Sequence, residues 1–162
     1  MRKDITRSIA LGALGIAMVA GATILSVPVP GFRLYFNLGE GIIYTVAILL
    51  GPRLGCICGG LGAALADLIL GYPLWAPLTL LIKGLEGYAV GSLAPKGRIR
   101  ALATGAAIMA GGYSLSAGLL YGWAAAPIEL GTDIIQTGIG AAIALPLSTV
   151  LRHRILSKKL TD

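Results

Sequence analysis

A single histidine, two cysteines and seven acidic residues are nearly all that this 162-residue chain offers to side-chain chemistry. The histidine, His153, stands in a basic run near the end of the chain, and no metal-ligand cluster or Ser-His-Asp relay can be read around it. Cys56 and Cys58 lie two apart in an apolar, glycine-rich stretch. On a helix they point to different sides, which excludes a disulfide or a shared metal and leaves them as small packing residues. No GxxxxGK[ST] segment occurs, so the chain has no phosphate-binding loop with which to power transport from ATP by itself. Nor is there an internal inverted repeat of the kind common in secondary transporters. Asp67, Glu86 and Asp133 are carboxyl groups with nothing beside them that marks a reaction. An enzyme is not expected, and neither a metal nor a cofactor is implied.

Charge itself is scarce. Only 12% of residues are charged, against about 25% in a soluble domain. In its place stand 56% hydrophobic residues, 24 glycines and a mean hydropathy of +0.85. Small residues of this abundance suit helices packed closely within a bilayer. In a soluble bundle each interior glycine would cost about 1 kcal/mol. The expected fold is therefore all-α: one domain over residues 1–162, an integral membrane bundle of six transmembrane helices at roughly 20 residues each.

The apolar run from Ser8 to Val27 follows a short basic start and resembles a signal peptide, but further spans follow, and it reads as a retained first helix. Ala13, Ala17 and Gly21 form a small-residue stripe on it, suited either to internal packing or to docking of a partner helix. Val27 to Asn37, with Pro28, Pro30 and Gly31, reads as an exposed loop. Its Phe32, Tyr35 and Phe36 suit an interfacial anchor or the cover of a pocket. Spans two to six are expected over Leu38–Leu50, up to about Leu70, Trp75–Leu93, Ala101–Trp123 and Asp133–Leu151. A tight turn at Gly51–Gly55, a basic connector at Ala94–Arg100 and a loop at Ala124–Thr132 separate them, and Pro146 is expected to kink the last.

Arginine and lysine orient the bundle. With both termini on one side, that side collects eleven of the thirteen basic residues: Arg2, Lys3, Arg7, Arg53, Lys96, Arg98, Arg100, Arg152, Arg154, Lys158 and Lys159. The other side holds Arg33, and Lys83 falls inside a span. Both termini are therefore expected in the cytoplasm of a prokaryotic cell, and the net charge of +6 is a topology signal rather than a nucleic-acid footprint.

The stretch from Trp75 to Tyr88 organises the rest. Trp75, Thr79, Lys83 and Glu86 follow one another at steps of four, four and three, which places them on one face of a helix. A lipid-facing charge near the bilayer centre costs about 2.5–3.5 kcal/mol, so both charges must face protein, ligand or each other. Lys83 can pair with Glu86, or with an acid on another helix, or meet a ligand directly. At the outer ends of the spans gather Asn37, Glu40, Asp67, Tyr121, Asp133 and Gln136, with Tyr113 within span five. These residues together are the candidate lining of a pocket open to the outside. Trp75, Tyr113 and Tyr121 can stack on a flat heterocycle whose polar edge Lys83, Glu86, Asn37 and Gln136 would satisfy.

Five segments carry a family resemblance: Leu38-Gly-Glu40-Gly, Leu50-Gly-Pro-Arg-Leu-Gly55, Gly60-Leu-Gly-Ala-Ala-Leu-Ala-Asp67, Gly71-Tyr-Pro-Leu-Trp75-Ala-Pro and Ile82-Lys-Gly-Leu-Glu86-Gly. Over spans two to four the chain resembles the substrate-binding S components of energy-coupling factor (ECF) vitamin transporters, nearest the riboflavin-type group with its pyridoxine and hydroxymethylpyrimidine members. The resemblance implies high-affinity capture of a vitamin outside the cell. It also implies association with a transmembrane coupling subunit and two cytoplasmic ATPases, and toppling in the membrane to release substrate inward. It makes Ala13 and Ala17 the docking step for the coupling subunit, Val27 to Asn37 a lid, and helices four to six the source of ligand contacts. Two other readings stay open: a structural subunit of a membrane complex whose charges only pair internally, and a stand-alone carrier.

Overall fold

The computed structural model describes residues 2–28 and 35–161, with side-chain surroundings for 5–25 and 37–153. Among these the chain forms six helices: α1 (Arg2–Ile24), α2 (Gly39–Leu50), α3 (Pro52–Leu70), α4 (Ala76–Leu93), α5 (Arg98–Tyr121) and α6 (Ala126–Thr161). A 3₁₀ turn, Ala94–Lys96, joins α4 to α5. Between α1 and α2 two three-residue strands, β1 (Ser26–Pro28) and β2 (Tyr35–Asn37), pair antiparallel with Val27 opposite Phe36. They form the base of the expected loop. Phe32 and Arg33 at its tip lie outside the described residues, as do the side chains of Tyr35, Phe36 and the basic tail beyond His153.

The helix breaks are narrower than the sequence suggests. The turn expected over Gly51–Gly55 shrinks to Gly51, because Pro52 sits at the first position of α3, where its missing N–H costs nothing. Likewise the loop expected over Ala124–Thr132 is mostly helix. Pro127 and Glu129 both fall in the first turn of α6, where proline's fixed φ and an acidic side chain are favoured. At the other end α6 runs on as helix through the expected basic tail to Thr161, with Pro146 inside it. Gly71, at φ 85°, closes α3 in the left-handed conformation that favours glycine, its N–H bonding back to the carbonyls of Asp67 and Leu68.

Four helices, α1, α3, α5 and α6, are long and apolar enough to cross a membrane. α4 carries Lys83 and Glu86 in its middle. α2, at 12 residues, is only about 18 Å long, and it is buried on nearly all sides. An apolar helix with no polar face belongs in an interior, and α2 packs against α1, α3, α4 and α6. The outward faces of its neighbours carry large apolar side chains, among them Leu61, Leu65, Leu68, Leu81, Leu85, Ile134 and Ile135. Polar groups such as Glu40, Lys83 and Glu86, and glycines such as Gly55, Gly59 and Gly87, face inward. That reversal of the soluble pattern is what a hydrocarbon solvent selects.

Glycine sets how closely the helices approach. A Cβ on Gly87 of α4 would lie 2.2 Å from the Gly55 carbonyl oxygen of α3, so these backbones touch with no side chain between them. Two apolar clusters complete the interior. One, of Val19, Ile43, Val46, Cys58 and Ala63, joins α1, α2 and α3. The other, of Tyr44, Ala47, Val90, Ala101, Leu102 and Ala144, fills the half of the bundle toward Gly51 and Gly97. Cys58 is buried against α1, its Sγ 3.5 Å from the Gly12 carbonyl oxygen, and both cysteines are free.

Candidate functional site

α1 enters the half of the bundle that holds the polar residues at its C-terminal end, and α6 at its N-terminal end. The first turn of α1 and the last turn of α6 therefore lie at the opposite side. In that polar half the helices part around a cavity. Nine residues expected as site residues line it: Asn37, Glu40, Asp67, Trp75, Thr79, Lys83, Tyr113, Asp133 and Gln136. Two do not. Glu86 lies one layer deeper, and Tyr121 stands at the rim, half exposed.

The face expected on α4 is the one that turns inward: Thr79, Lys83 and Glu86 are buried, with Trp75 buried just ahead of the helix. Lys83, only 4% exposed, forms an ion pair with Glu40 of α2 and another, at 3.2 Å, with Glu86 one turn on. Tyr44 donates its hydroxyl proton to Glu86 Oε1 at 2.9 Å. One cation thus joins two carboxylates and, through Glu86, a phenol, which ties α2 to α4 beneath the cavity. Both pairings open to Lys83 in the sequence, within its helix and across to another, are made together. Its ammonium also lies 5.3 Å from the ring centre of Tyr113, within cation–π range.

Aromatic rings form one wall. The Trp75 ring centre lies 5.8 Å from that of Tyr113 and 5.9 Å from that of Tyr121, tilted by about 40° in each case. Trp75 Nε1 donates to the Tyr121 hydroxyl at 2.9 Å, and Tyr113 donates to Thr79 Oγ1 at 3.0 Å. These bonds fix the rings and hold the start of α4 and the end of α5 together. The α2 entrance is fixed from α6: the Asn37 backbone N–H donates to Gln136 Oε1 at 3.0 Å, while Asn37 Oδ1 accepts from the Gly39 N–H at 2.8 Å. The loop base is in this way tied to α6.

Five further lining residues, Thr23, Ile43, Ala63, Met109 and Glu129, escaped the sequence reading. Four repeat a helical step from recognised ones: Ile43 from Glu40, Ala63 from Asp67, Met109 from Tyr113, and Glu129 from Asp133. Glu129 was missed because its stretch read as loop. Once α6 begins at Ala126, its carboxyl group falls one turn before Asp133 on the same face.

On α1, Ala13, Ala17 and Gly21 are all exposed, and nothing lies within 4 Å of a Cβ placed on Gly21. Internal packing, one of the two uses open to that stripe, is ruled out. The neighbouring Gly12 and Gly15 face α3 instead.

Comparison with known proteins bears on this geometry. The profile of a family described as "ECF-type riboflavin transporter, S component" matches residues 3–153, nearly the whole chain. An "uncharacterized protein in gap 3′ region" of Pyrococcus woesei is 40% identical over 144 residues, 86% of this chain and 97% of that one. The thiamine precursor transporter HmpT of Lactococcus lactis subsp. cremoris (strain MG1363) is 35% identical over 111 residues, 68% of this chain and 66% of that one.

Proposed function

This chain belongs to the ECF-type riboflavin transporter S component family, and from that membership we propose that its cavity captures one small water-soluble vitamin or vitamin precursor outside the cell. Membership makes it a multi-pass membrane subunit for vitamin uptake rather than an enzyme, working with an ECF module. The finer reading is that a coupling subunit and two cytoplasmic ATPases drive delivery inward, and that both termini lie in the cytoplasm. The basic residues gathered at the end opposite the cavity support that orientation. The outward small-residue face of Ala13, Ala17 and Gly21 supports docking of the coupling subunit there.

The observation that carries the proposal is a cavity with a polar lining and an aromatic wall, at one end of an otherwise apolar bundle. Buried polar groups in hydrocarbon are costly, and a purely structural subunit has no use for an open space among them. Asn37, Glu40, Asp67, Trp75, Thr79, Tyr113, Asp133 and Gln136 are the proposed contacts. Lys83 and Glu86 form the charged floor, and Tyr121 braces Trp75. Equilibrium binding to the purified protein, with mass spectrometry of whatever co-purifies, tests this. Stoichiometric binding of one vitamin-class compound, weakened in Trp75→Ala, is expected. No binding across a broad vitamin panel, with no co-purified compound, would return the chain to the structural-subunit reading.

A further inference from the structure

Five of the seven acidic residues in the chain are buried in the bundle: Glu40, Asp67, Glu86, Glu129 and Asp133. Among the described residues they share one buried cation, Lys83, and its ion pairs go to Glu40 and Glu86. Glu129 and Asp133 belong to neither pair. They stand one turn apart on α6, both line the cavity, and they are 7% and 4% exposed. Glu129 Oε2 and Asp133 Oδ2 are enclosed and have no hydrogen-bond partner among the described residues. A buried acceptor without a donor is costly, and a carboxyl group more so than most. Two such oxygens in one wall of a cavity mark a place where donors arrive from outside the chain.

Resting on the vitamin-capture reading above, we propose that Glu129 and Asp133 select a ligand by its amine edge: a small planar heterocycle carrying an exocyclic amino group or a positive charge. The aromatic part of the lining suits the same class. Trp75 and Tyr113 offer π faces to a flat ring, and π faces also attract cationic rings. A phosphorylated or carboxylate-bearing compound would meet two bare acceptors in place of donors. A heterocycle whose facing edge holds only carbonyl oxygens would leave both unsatisfied, which is how a polar site rejects a near-isostere.

The test uses the full-length protein in detergent and titrates a hydroxymethyl aminopyrimidine, thiamine, riboflavin and pyridoxal phosphate into wild type, Glu129→Gln and Asp133→Asn. Both substitutions keep the side-chain shape, and unchanged melting temperatures would show that the variants fold. An amine-bearing compound is expected to bind best, with each variant losing roughly tenfold or more in affinity, the scale of a hydrogen bond to a charged group. If riboflavin or the phosphate ester binds best, or the amine-bearing ligand binds both variants within about twofold of wild type, amine selection is wrong while vitamin capture stands. If nothing on the panel or on a wider vitamin set binds wild type, the capture reading falls and takes this inference with it.

Discussion

Lys83 is the residue on which the polar half of the bundle turns. Among the described residues its ammonium is the single positive group amid the buried carboxylates, bound to Glu40 on one side and Glu86 on the other. Removing it would leave two buried anions facing each other across α2 and α4, and orphaning a buried charge costs far more than the intact pair contributes. Lys83→Met is therefore expected to destabilise the folded protein by about 3 kcal/mol or more. Tyr44→Phe, which removes one neutral donor to Glu86, should cost about 1 kcal/mol. Thermal melts of the two variants in detergent would check the order, and a reversed order would mean that Lys83 is neutralised elsewhere. The sequence carried much of this. A lysine and a glutamate three apart in an apolar helix can only face inward, so the inward face of α4 was legible from spacing alone. What spacing could not give was Glu40, forty-three residues earlier, as the second partner, because that choice depends on how α2 lies against α4.

At the level of elements, the α3–α4 contact is a direct backbone-to-backbone one, and it exists because two glycines meet. Gly87→Ala forces a methyl group against the Gly55 backbone, and an expected loss of about 1–3 kcal/mol follows from overpacking with no flexible group to yield. Gly111→Ala, on a part of α5 with nothing within 4 Å, serves as the control and should be neutral or slightly stabilising. Equal melting temperatures for the two variants would argue that α3 and α4 sit farther apart. Helix number and order were readable from hydropathy. The helix starts were less so, since Pro52 and Pro127 look like loop residues until they are seen opening α3 and α6. That single ambiguity hid Glu129, and with it half of the α6 carboxyl pair.

For the whole molecule, the cavity and most of the basic residues lie at opposite ends. An external mouth requires that Trp123, exposed in the turn before α6, face outside, and that Lys96, exposed beside the 3₁₀ turn, face the cytoplasm. A membrane-impermeant maleimide added to intact cells should label Trp123→Cys and should reach Lys96→Cys only after permeabilisation. The opposite pattern would invert the bundle and remove the case for capture from outside. Beneath the charged floor, Tyr44, Ala47, Val90, Ala101, Leu102 and Ala144 pack without a polar side chain apart from the Tyr44 hydroxyl that points up to Glu86. Among the described residues the compartment thus has a solid base beneath its charged floor, and on the capture reading proposed above its cargo would cross only if the vessel itself were tipped or its walls prised apart.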